Sequence, residues 1–256
     1  MNRSVQDPLR RAVRAGRAWG RAALPGGPGR LPEFLIIGGQ RCGTTSLYRY
    51  LAAHPDVAPA TGKELQFLSL HHRRGLRWYR GHFPVRPPGT LSFEASPYYL
   101  FDPQVPARAA ALLPDTRFVA LLRDPAERAY SHYLHSRSYG VEPLCFADAL
   151  DAEPARLAAG GHTARRQFSY VARGRYAEQL TRWYRHVSRE RLLVVRTEQL
   201  NDRFGDILEF LGLAPMPAPA ERHTRRPADS PELTPAIRER LTREFAPDQA
   251  MLSTLL

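Results

Sequence analysis

The chain has 256 residues, 43% of them hydrophobic and 10% aromatic, which suits one large domain with a real core. Its net charge of +12 invites an anionic partner, yet Lys63 is the single lysine among 37 basic residues, and most of these charges read as a solvated surface. No apolar run approaches the ~20 residues of a membrane helix, and two cysteines are too few for a disulfide scaffold or a four-ligand zinc site, so a reducing cytoplasm is the expected compartment.

Residues 1–31 hold seven arginines and one acid, Asp7, and end in the breaker PGGPGR. They lack the apolar stretch of a secretory leader. A basic flexible tail is expected there, with anionic lipid as its candidate contact, followed by one domain over 32–256. FLIIG (34–38) is a fully apolar run of the kind found in buried parallel strands. Thr44 to Ala53 reads as a helix with Leu47, Tyr50 and Leu51 on one face. LSFEASPYY is a second candidate strand, then a short helix from Pro106 to Leu113 and a turn at Pro114-Asp115. Thr116 to Asp124 is another buried strand. Pro125 opens a helix to about Ser138, where a proline loses no needed hydrogen bond. Residues 140–168 are mixed, with weak helix from Phe146 to Leu150. A helix from Arg175 to Val187, the strand RLLVVRTEQL and a helix from Phe204 to Leu211 with Gly212 as its cap follow. APMPAPA reads as a linker and PELTPAIRERLTREF as a terminal amphipathic helix. The alternation predicts an α/β fold, a P-loop-like three-layer domain with a mainly parallel central sheet. In such sheets ligands lie beyond the carboxyl ends of the strands, beside the loops 38–46, 123–131 and 196–200.

Gly38 to Gly43 has the spacing of a phosphate-binding loop, G-x-x-x-x-G, entered from a strand and left into a helix. The amides from Gln40 to Thr45 are expected to surround an anion, helped by the positive helix end and by the hydroxyls of Thr44, Thr45 and Ser46. A nucleotide hydrolase carries a lysine after the second glycine, and a Ser/Thr next to it holds magnesium. Here Thr44 takes the lysine's place, and the basic residue lies upstream as Arg41. Asp124 ends a strand as a metal-holding acid would, but Arg123 beside it points to an anion. A kinase-like nucleotide phosphotransferase is therefore the alternative, and a basic binding module without chemistry the third reading. No specific nucleic-acid partner and no metal are expected; His71-His72 has no carboxylate or cysteine at ligand spacing.

The stretch IIGGQRCGTTSLYRYLAAHPDV resembles the 5′-phosphosulfate loop of sulfotransferases that use 3′-phosphoadenosine-5′-phosphosulfate (PAPS), in particular the heparan-sulfate N- and 3-O-sulfotransferase type and its bacterial relatives. FVALLRDPAERAYSHY resembles that family's second hallmark, a strand, R-D-P and a helix carrying a serine. KELQFLS, FEASPYYLF, RAAALLPDTRF, LLVVRTEQL, EFLGL and a C-terminal RR…SPE stretch follow in the family's order, so the resemblance covers roughly residues 33–255. It implies that Gln40, Arg41, Cys42, Gly43, Thr44, Thr45 and Ser46 hold the phosphosulfate. It assigns Arg123 and Ser131 to the 3′-phosphate and adds Arg225 and Arg226 to the donor-binding set. Arg41 stands where the family carries a lysine; it keeps the charge that stabilises the leaving phosphate but cannot surrender a proton. Glu64 falls at the place of the catalytic base, with Glu94 and His54 as the next candidates. The implied reaction leaves adenosine 3′,5′-bisphosphate and sulfates a hydroxyl or amine of a carbohydrate or a glycosylated or lipid small molecule. Ala95 in FEASP, where the family shows lysine, and Gln66, where histidine is common, both bear on a glycosaminoglycan acceptor.

Overall fold

Phe34–Gly38 form β1, and all five residues are buried. A computed structural model describes residues 29–83, 85–219 and 233–256, with Gly16 and Gly20. The other strands are β2 (Val57–Pro59), β3 (Leu91–Ala95), β4 (Arg117–Leu122) and β5 (Leu192–Arg196). All pair in parallel, in the order β2-β3-β1-β4-β5. Apart from the first residue of each, β3 and β4 are buried throughout, so both faces of the sheet are covered and the three-layer α/β expectation holds. Chain order reverses around β1, with β3 on one side and β4 on the other. That switch point opens a crevice beyond the strands' carboxyl ends.

Most boundaries follow the sequence pattern, and the departures have physical reasons. β3 stops at Ala95, before Ser96-Pro97. The chain then folds back over the end of β1, where the Ser96 amide donates to Ile36 O at 3.0 Å and that of Leu100 to Ile37 O at 2.8 Å. β2 was not expected: it has three residues, lies at the sheet edge and ends in a proline that an edge tolerates.

The helices are α1 (Thr44–Ala52), α2 (Gly75–Arg80), α3 (Val105–Leu112), α4 (Pro125–Ser138), α5 (Phe146–Ala159), α6 (Gly161–Gln167), α7 (Tyr176–Tyr184), α8 (Phe204–Leu211) and α9 (Pro235–Leu255). Asp124 caps α4 by accepting from the Glu127 amide at 2.8 Å. Its carboxylate therefore serves the helix start rather than a metal. Two helices outrun their sequence pattern. α5 continues past Leu150 and through Pro154, because its Glu153 is buried and accepts the amides of Val171 and Ala172 at 2.7 and 2.8 Å. α9 continues past Phe245 and through Pro247, because Asp248 accepts the amides of Ala177 and Glu178 at the start of α7. A second apolar cluster joins α4, α5 and α9 through Tyr130, Tyr133, Phe146, Leu241 and Phe245. Among the described residues, no helix is long and apolar enough to cross a membrane.

Candidate active site

The loop between β1 and α1 sits at the switch point. Gly43 has φ 79°, a conformation that favours glycine, and a Cβ there would crowd Thr197 Cγ2 at 3.1 Å. Thr197 Oγ1 lies 2.8 Å from the Cys42 carbonyl and 3.0 Å from that of Leu122, which straps the loop to the end of β4. The amides of Gly43, Thr44 and Thr45 meet no acceptor among the described residues, leaving the positive end of α1 open to an anion. One expected amide donor is spent. The Cys42 amide bonds Gly39 O at 3.1 Å because the loop closes on itself before the helix starts, and the Ser46 amide bonds Gly43 O at 2.9 Å. The Cys42 thiol is fully buried, 3.5 Å from the Tyr176 hydroxyl, and burial pushes its pKa up; it packs as a neutral thiol.

Arg41 and Ser131, ninety residues apart, meet: Arg41 Nε donates to Ser131 Oγ at 3.0 Å. Arg123 takes a different partner, Glu127 Oε2 at 3.2 Å, and Glu127 also receives Arg238. Lys63 Nζ donates to Thr45 Oγ1 at 2.7 Å. Arg225 and Arg226 lie outside the described residues.

Glu64 and Gln66 hang from β3. The Ala60 amide bonds Phe93 O at 2.7 Å and that of Glu64 bonds Ala95 O at 2.9 Å. Among the described non-glycine residues, only Arg41 (φ 70°), Glu64 (φ 59°) and Gln66 (φ 55°) have left-handed backbone. Such a residue costs on the order of 1–2 kcal/mol, and clusters of them mark functional sites. Glu64 is exposed and lines one cleft with Gln40, Gln66, Pro97, Tyr98, Arg166 and Arg173.

The two fallback bases are structural. Glu94 is fully buried; its Oε1 accepts from Tyr79 at 3.0 Å and Tyr99 at 2.8 Å, and its Oε2 from Ser96 at 2.7 Å. Burial pushes its pKa up against the pull of those hydroxyls. Two of them in turn receive backbone amides, Ser96 from Gln66 and Tyr99 from Leu68, each at 3.1 Å. Glu94 thus anchors the segment that carries Glu64. Glu94→Ala is expected to lower the unfolding free energy by at least about 3 kcal/mol, since three buried hydroxyls lose their acceptor; urea titration checks this. His54 is buried, with Nε2 3.0 Å from Ala214 O and Nδ1 accepting the Asp56 amide at 3.1 Å, so both nitrogens are committed to packing.

Cations that the sequence reading did not single out surround the cleft. Arg173 is 4% exposed, donates to the carbonyls of Arg165 and Arg166, and lies over the Tyr98 and Phe101 rings. Its Nε and Nη1, and those of the fully buried Arg128, have no partner among the described residues. Burial, then the neighbouring Arg128, lowers the Arg173 pKa to about 9, so it stays charged at neutral pH. His132 beside them is held neutral by burial and by the arginines. This buried positive charge favours anions. Among the described residues, no group of three or more His, Cys, Asp or Glu is placed to hold a metal.

A strand–loop–helix anion site at the switch point of a parallel sheet, with a carboxylate in the adjoining cleft, defines a P-loop-type group-transfer enzyme. The sulfotransferase domain family matches residues 31–226, and the chain belongs to that family. A solved sulfotransferase from Alicyclobacillus acidocaldarius is 31% identical, with a TM-score of 0.73 over 88% of this chain and 96% of that one. The human bifunctional heparan sulfate N-deacetylase/N-sulfotransferases 3 and 2 are 34% and 35% identical over 201 and 204 residues, 73% of this chain in each case. The chain spans less than a quarter of their length, 23% and 22%. The family match sets the chain among sulfotransferase domains, and the kinase alternative finds no support.

Proposed function

We propose that the enzyme moves a sulfuryl group from PAPS to a hydroxyl or amine of a carbohydrate-containing acceptor. The observation that carries the donor reading is the Arg41–Ser131 hydrogen bond at 3.0 Å. It joins the phosphate loop to the helix of the R-D-P hallmark, so two anion subsites adjoin, as a ligand phosphorylated at both 3′ and 5′ positions needs. PAPS, when bound, supplies the sulfuryl group. The amides of Gly43, Thr44 and Thr45 and the loop hydroxyls hold its 5′ side, while Arg123 and Ser131 hold the 3′-phosphate; Arg225 and Arg226 complete the proposed donor-binding set. Arg41 stabilises charge on the leaving phosphate. Glu64, open to the cleft, takes the acceptor's proton. The named heparan sulfate relatives support a carbohydrate acceptor, and the cationic cleft suits an acidic one. A reducing cytoplasm is the proposed compartment, from the cysteine count alone. The family match over residues 31–226 supports a domain that begins near residue 32; contact of the basic segment before it with anionic lipid is part of the same proposal.

Calorimetric titration tests the donor. Adenosine 3′,5′-bisphosphate is expected to bind and ATP with magnesium is not. Arg123→Ala should weaken the bisphosphate by on the order of 1.5–3 kcal/mol, the value of a charged hydrogen bond, and leave AMP nearly unaffected. Equal losses for both ligands remove Arg123 from the 3′-phosphate.

A further inference from the structure

We propose that the Lys63 ammonium occupies the place beside the phosphate loop that magnesium takes in nucleotide hydrolases, and there neutralises the 5′-side phosphate of the donor. This rests on the PAPS reading above. In the hydrolase loop the residue after the second glycine is the lysine, and the Ser/Thr that follows holds the metal. Gly43-Thr44-Thr45 sets Thr45 in that metal-holding register. Its hydroxyl meets an ammonium instead, Lys63 Nζ at 2.7 Å. One turn further along α1, the Tyr48 ring centroid lies 5.8 Å from the same nitrogen, within cation–π range. Two residues on one face of α1 therefore fix the ammonium against the start of the helix. Arg41, the loop's own cation, spends its Nε on Ser131 across the site, so Lys63 adds a second charge on the other side of the loop.

The sequence sharpens the assignment. Lys63 is the only lysine in a chain whose other 36 basic residues are arginines. A lysine head is a compact point charge, closer to a metal ion than a planar guanidinium fork is. Thr45 accepts from Lys63, which leaves its own hydroxyl hydrogen for a phosphate oxygen. Lys63 is also bonded through the backbone to Glu64, so one short segment carries the cation for the leaving side and the base for the entering side. As the acceptor's oxygen or nitrogen bonds sulfur, the bond between sulfur and the bridging phosphate oxygen breaks. Its electron pair stays on phosphate and the acceptor's proton goes to Glu64. Lys63 keeps its protons and stabilises the charge that arrives beside it.

Two measurements on the full chain test this. In calorimetry, Lys63→Met should weaken adenosine 3′,5′-bisphosphate roughly 10- to 100-fold and leave adenosine 3′-monophosphate, which lacks the 5′-phosphate, unchanged. On the unaltered protein, adenosine 3′,5′-bisphosphate should slow amine-reactive labelling of Lys63, read by peptide mass spectrometry, and the 3′-monophosphate should not. Unchanged labelling, a variant that binds the bisphosphate as the parent does, or equal loss of both ligands would each overturn the proposal. If the parent protein binds no bisphosphate at all, the donor reading falls and takes this inference with it.

Discussion

Glu64→Gln is expected to lower kcat by about 10²–10⁴-fold, the usual contribution of a positioned general base, while the dissociation constant for adenosine 3′,5′-bisphosphate stays nearly unchanged. The division follows from the structure. The anion-facing groups lie on the loop, α1 and the end of β4, with Lys63 turned toward Thr45, whereas the Glu64 side chain faces the cleft with Gln66 and Arg173. Glutamine keeps the size and shape of the side chain and loses only the proton acceptance. Retained kcat would place the base elsewhere. Collapsed affinity would make Glu64 a structural residue. Glu94 and His54 cannot take over without dismantling their own buried hydrogen bonds.

Arg41→Ala is expected to cost about 10²–10³-fold in kcat at saturating PAPS, the range for losing one preorganised donor to developing charge. Arg41→Lys should stay within an order of magnitude, because the charge remains although the fork geometry is lost. The alanine variant also strips Ser131 of its partner, so affinity for the bisphosphate separates the two effects: a loss confined to kcat marks transition-state stabilisation, whereas a parallel loss of affinity marks loop disorder. Turnover like that of the parent enzyme by Arg41→Ala would remove the role.

Much of this arrangement was legible in the sequence, and the illegible part has a common cause. β1 and β4 are short continuous apolar runs, and their length and the glycine loop or Arg-Asp-Pro corner that bounds each favour a buried parallel strand. β2 escaped because three edge residues ending in Pro59 carry no periodicity. α5 and α9 run past their sequence patterns and through Pro154 and Pro247, and only tertiary contacts of Glu153 and Asp248 show why. In the site, Arg41 and Glu64 stood out through motif position. Thr197 did not, because its bond to Cys42 spans 155 residues. Arg173 and Arg128 were hidden among 36 arginines, and their burial decides what they do. The spent amide of Cys42 was equally invisible, since loop closure leaves no trace in residue type.

The left-handed backbone of Arg41, Glu64 and Gln66 sets a conflict for anyone who evolves this enzyme toward heat resistance. Asparagine and glycine tolerate that conformation better than arginine, glutamate or glutamine do, so a screen that rewards survival alone has an incentive to replace each of them. Such gains would erase the charge of Arg41 in the loop or of Glu64 in the cleft, or shorten or remove the Gln66 side chain that lines it. Robustness and turnover are therefore coupled at three addresses, and a library that fixes positions 41, 64 and 66 while varying the rest leaves stabilising changes that need not be bought with activity.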